Sequence, residues 1–90
     1  MITLNLTDLP KASDLKNVTA QSRERIANQT LKRVLDDCFD AAMRGGFSIP
    51  FHSEMAEYQP CDDEMEAEIV DALSKLGFKR RDGMYITWRR

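Results

Sequence analysis

The stretch DDEMEAEIVDALSKLGFKRRDGMYITW, residues 62–88, decides the fold. Asp62 or Asp63 is placed to cap a helix, and Glu66, three residues after Asp63, completes a capping box. Acidic residues crowd the first turns, where the helix macrodipole favours negative charge. Met65, Ile69, Ala72, Leu73 and Leu76 recur at spacings of three and four and give one apolar face. Lys75 stands near the end, and Gly77 followed by Phe78 suits a Schellman stop, so a helix is predicted over 62–76. The remainder reads as a hairpin over 78–89 with Asp82-Gly83 at its tip. A two-residue turn would pair Arg81 with Met84 and send Phe78 and Ile86 to opposite faces. A three-residue loop, Arg81-Asp82-Gly83 with Gly83 left-handed, pairs Phe78 with Ile86 and Arg80 with Met84. It also lets Trp88 join the same face, and this register is expected because it builds one apolar surface.

Upstream, Ala27, Leu31, Val34, Leu35, Cys38, Phe39 and Ala42 form a second apolar stripe, which predicts a helix over 20–44 stopped by Gly45-Gly46. Residues 11–20 hold Ser13-Asp14 as a cap and Leu15 and Val18 at helical spacing, but Asn17 and Thr19 weaken a helix there, giving a short helix or an ordered loop. Phe47, Ile49 and Phe51 alternate with Ser48, Pro50 and His52, a strand over 47–51 whose Pro50 places it at a sheet edge. Residues 52–61 read as a polar loop. At the start, Ile2, Leu4 and Leu6 alternate with Thr3, Asn5 and Thr7 before Pro10, an extended arm or strand over 1–10 without a neighbour to pair with. The expected architecture is α+β, a single two-layer domain over 1–90. Two amphipathic helices pack on a short antiparallel sheet made from 47–51 and the hairpin 78–89.

With 90 residues the core is small, and self-association is a natural way to add stability. The chain is 42 % hydrophobic and 31 % charged with a net charge of −2, which argues against disorder and against a purely basic nucleic-acid binder. Charge is segregated nonetheless. Residues 46–74 carry eight acidic and no basic side chains, and residues 75–90 carry six basic ones against Asp82 alone. Residues 1–8 lack the basic and long apolar regions of a signal peptide, and no run approaches a membrane span, so a soluble protein with no membrane partner is expected.

Chemistry-bearing residues are sparse. His52 is the sole histidine; no nucleophile accompanies it, so it reads as a loop residue. Cys38 and Cys61 lack metal-ligand spacing and read as reduced thiols. The carboxylates from Asp62 to Glu68 lack the glycine and spaced oxygens of a calcium loop and read as a solvated helix start or an acidic docking face. Phosphate loops and nucleophile elbows are missing, so neither catalytic residues nor a cofactor nor a small-molecule substrate is expected.

The segments Phe39-Asp40-Ala41-Ala42-Met43-Arg44-Gly45-Gly46-Phe47-Ser48-Ile49, Leu73-Ser74-Lys75-Leu76-Gly77-Phe78-Lys79 and Tyr85-Ile86-Thr87-Trp88 resemble a class of small tailed-bacteriophage proteins. In that class a helix ends in small residues and glycine, a strand follows, a second helix ends in Leu-Gly-aromatic, and a strand closes on Ile-x-Trp. The resemblance implies caps at Gly45, Gly46 and Gly77 and core roles for Phe47, Ile49, Leu73, Leu76, Phe78, Ile86 and Trp88. It also implies a virion structural component, placed in the host cytoplasm or the virion, and it supplies no catalytic residue.

Assembly with copies of itself or with a larger phage or host protein is therefore the expected function, through the arm Ile2, Leu4 and Leu6 and an accepting edge strand. An inhibitor of a host enzyme or defence complex would use the acidic face at Asp62, Asp63 and Glu66 or the basic hairpin. A nucleic-acid module would use Lys79, Arg80, Arg81 and Arg89 on the hairpin, against repulsion from the acidic helix beside it.

Overall fold

Between Lys11 and Arg44 the chain holds neither proline nor glycine, and nothing interrupts the helix it forms. The computed structural model describes residues 2–3 and 10–89. In it α1 (Ala12–Met43) runs for 32 residues, about 48 Å at 1.5 Å per residue. The ambiguous segment 11–20 is thus helical and continuous with the predicted helix. Asn17, Val18 and Thr19 each cost only tenths of a kcal/mol in propensity, and propagation from a formed helix is easy where nucleation is not. The start also lies earlier than Ser13: Lys11 is the N-cap, and its N–H donates to the Asp14 carboxylate at 3.0 Å. Of the arm expected over 1–10, Leu4 and Leu6 lie outside the described residues, and Ile2 is 86 % exposed.

Both helices end as their glycines predict. After α1, Gly45 (φ 85°) donates to Ala42 O and Gly46 to Ala41 O; after α2 (Asp63–Lys75), Gly77 (φ 97°) donates to Ser74 O and Phe78 to Leu73 O. These are the paired bonds of the Schellman motif, and the second turns the chain so that Phe78 enters the hairpin.

The sheet has three short strands, β1 (Ser48–Pro50), β2 (Lys79–Arg81) and β3 (Tyr85–Thr87), antiparallel in the order β1-β3-β2. Pro50 therefore stands on an edge strand, where its missing N–H does no harm. The hairpin register differs from the expected one by two residues: Arg80 pairs with Ile86 and Arg81 with Tyr85. Asp82 (φ 55°) joins Gly83 (φ 67°) in the left-handed region, and Met84 N–H returns to Arg81 O at 3.2 Å, which moves the three-residue loop to Asp82-Gly83-Met84. Because the shift is even, the same side chains stay on the same face. Phe78 now lies against Trp88, edge to face with centroids 6.1 Å apart.

The helices cover one face of this sheet in a two-layer α+β arrangement. Val34 and Cys38 of α1 and Met65, Ile69 and Leu73 of α2 are buried with Ile49 and Ile86 from the sheet. Phe47 and Leu76, expected in the core, are 52 % and 60 % exposed. Phe47 precedes the strand with its ring under the Arg89 guanidinium (5.3 Å), and Leu76 is the C-cap beyond the last core-facing turn. The segment read as a polar loop fills the vacancy. A single 3₁₀ turn, Ala56–Tyr58, buries Tyr58, and Cys61 follows it into the core. The Tyr58 ring meets Phe51 edge to face at 5.1 Å, and its hydroxyl donates to Asp37 Oδ2 at 2.5 Å. Tyr58→Phe is expected to cost about 1–2 kcal/mol in urea unfolding and Tyr58→Ala about 3–5 kcal/mol. Equal, small effects would mean that this turn lies outside the cooperative core.

Candidate interaction surface

The acidic residues of the expected docking face are occupied inside the fold. Asp62 caps α2 by accepting from Met65 N at 2.8 Å, and the same carboxylate takes a two-pronged bond from Arg23 at 3.0 and 3.1 Å. Asp63 accepts from the Ser53 hydroxyl. Glu66 does not return to the cap as a capping box requires; it accepts from Ser53 N at 2.7 Å and pairs with Arg80 at 3.3 Å. The capping role falls wholly on Asp62, because the helix begins there and its third residue is Met65 rather than Glu66.

The basic hairpin is divided in the same way. Arg80 is half-buried, donating to Phe51 O at 2.6 Å and to Gly83 O, with its guanidinium 5.8 Å from the Phe51 ring centre. Arg81 and Arg89 lie over Tyr85 and Phe47, each 5.3 Å from the ring centre, and Lys79 is exposed on the edge strand β2. Three cations thus remain solvent-facing, two of them already resting on aromatic rings.

Neither thiol is prepared for chemistry. Burial pushes Cys38 up to about 11, helped by Asp37, and burial followed by Glu66, Asp62 and Asp63 raises Cys61. Thiolate is the reactive form, so both are quenched by their surroundings. Among the described residues no three His, Cys, Asp or Glu side chains gather as a metal site, and no helix is long and apolar enough to cross a membrane.

The surface feature that sequence reading missed is the difference in length between the helices. α2 starts beside Arg23 and extends away from the first turns of α1, so residues 10–21 are all exposed, Leu15 and Val18 at 55 % and 57 %. Where this overhang meets the body, α1 and α2 diverge around an open trough of about 770 Å³. Its apolar lining is Ala20, Ala27, Leu31, Ile69 and Ala72, its α1 side also carries Lys16, Arg23 and Glu24, and its α2 wall carries Glu64 and Glu68. Leu15 and Val18 were the available signal: two apolar residues on a segment with no apolar stripe of its own to bury them. Comparisons with protein-family models, curated proteins and solved structures find no match.

Two measurements check these assignments. The Asp62 carboxyl is held below its ordinary 3.8, first by its bond from Arg23 and next by Met65 N–H. A depressed folded value adds stability that is present above pH 3.8 and lost as pH falls through the folded value. Asp62→Asn should therefore lower the thermal midpoint at pH 7, with the gap to the native sequence holding down to about pH 3.8 and closing as pH falls through the depressed folded value. Native-state reaction with a disulfide reagent at pH 8 should be slow at both cysteines and complete on unfolding: Cys38, near 11, is about one part in a thousand thiolate there, and Cys61 is buried with its thiol raised in the same direction.

Proposed function

We propose that this protein is non-enzymatic and acts by protein–protein assembly, with the α1 overhang and the trough beside it as the docking element. The observation that carries this reading is the uncovered state of residues 10–21 on a helix whose remaining turns are packed. The segment keeps its helix by propagation from the packed turns, yet its Leu15 and Val18 stay 55 % and 57 % exposed, apolar area that a partner would take out of water. The internal use of Asp62, Asp63, Glu66 and Arg80 supports the same reading, because groups that resemble an acid–base or anion-binding set are consumed in holding the chain together. The likeness of residues 39–88 to small tailed-phage proteins supports a virion structural component as the setting.

The overhang replaces the edge strand as the favoured contact. β1 offers three residues, one of them proline, and β2 presents Lys79 and Arg81, devices that oppose strand addition.

A photo-crosslinking residue placed at Val18 is expected to give adducts with one defined protein of purified particles, a further copy of this chain included. The same residue at Glu54, exposed but remote from the overhang in sequence, should give none. Particles that lack the chain remove the virion setting. Equal cross-linking from both positions, or none from Val18, removes the overhang as the docking element.

A further inference from the structure

We propose that the trough between α1 and α2 receives the α1 overhang of a second copy of this chain. The two α1 helices run antiparallel across a two-fold axis near Arg23, and Lys16 of each copy stands against Glu68 of the other. This inference rests on the assembly reading and names its partner.

Self-complementarity is the first support. The α1 side of the trough extends from Lys16 to Leu31, and Lys16, Thr19 and Ala20 also belong to the overhang. One stretch of helix thus provides both the inserted segment and part of the wall that receives it, which is the defining property of an isologous interface. A two-fold axis at the midpoint of that stretch brings Lys16 of each copy level with Leu31, the far end of the other trough. The lining there is Leu31 with Ala27 and Ala72, whose two alanines leave room for the inserted helix beside the leucine.

Charge is the second support. Residues 10–22 carry Lys11 and Lys16 against Asp14 alone, and Asp14 is engaged with the Lys11 backbone. The trough as a whole carries Glu24, Glu64 and Glu68 against Lys16 and Arg23 of the same chain, a small negative excess, with Glu64 and Glu68 on its α2 wall. Glu64 is only 3.9 Å from Arg23, and Glu68 makes no ion pair among the described residues. Lys75, the basic residue of α2, is paired with Asp71 at 3.2 Å. A basic insert therefore meets a wall whose negative charge is incompletely answered within its own chain, and opposite potentials fix the partner and its direction.

The test uses paired charge reversals in the full chain, both at exposed positions, with far-UV circular dichroism to verify folding. Sedimentation equilibrium of the native sequence should give a dimer of twice 10.3 kDa. Lys16→Glu alone and Glu68→Lys alone should each weaken it by about tenfold or more, since each homodimer then sets like charges together twice. An equimolar mixture of the two variants should recover affinity to within about threefold of native, as a heterodimer identified by isotope labelling of one chain. Pairing within one chain cannot produce that recovery. A mixture no tighter than either variant, or a native chain that stays monomeric to about 1 mM, overturns the inference. A monomeric chain that still cross-links from Val18 to a different protein leaves the assembly reading intact.

Discussion

The guanidinium of Arg80 joins three parts of the chain that have little else in common. It reaches the carbonyl at the end of β1, the carbonyl at the hairpin tip and the Glu66 carboxylate of α2, while its plane lies near the Phe51 ring. Three-residue strands give few ladder bonds, so the sheet needs such cross-ties to hold its register. Glu66 extends the tie to Ser53, and Ser53 to Asp63, so that the chain leaving β1 is pinned to the first turn of α2. Segments far apart in sequence are fixed together by side chains that a charge count would assign to the surface.

What was legible in the sequence follows the range of the forces involved. Both helices, their glycine stops and the edge position of the Pro50 strand are set by neighbours within a few residues, and those features agree with the structure. The hairpin face was legible for the same reason, since side-chain alternation fixes which residues share a side. Its register was not, because Asp82 and Gly83 together allow the loop to sit one residue later. Met55, Tyr58 and Cys61 recur every third residue, the trace of a single 3₁₀ turn, but one turn is too short to give periodic evidence. The candidate site failed on the longest range. Asp62 and Arg23 are 39 residues apart, and Arg80 and Phe51 are 29 apart; a sequence displays the charge and hides its partner. The overhang was hidden differently, since the uncovered length of α1 depends on where α2 begins in space.

The functional reading changes accordingly. Sequence drew attention to two oppositely charged segments as contact surfaces, and the structure uses much of that charge to join them to the rest of the chain. On the proposed assembly reading, a partner would meet a helical element and the trough beside it, packing against apolar side chains with charge at the rim. On that proposal, burial would replace solvent on a face that the isolated chain leaves open.

The blunted sheet also limits the kind of aggregate this protein can form. With proline on one outer strand and lysine and arginine on the other, growth by strand addition has no good starting edge. Growth by strand addition has no intrinsic end, whereas contacts between helices around a symmetry axis close after a fixed number of copies. Pro50, Lys79 and Arg81 thereby act on architecture at a distance: they leave the finite route open and obstruct the fibrous one.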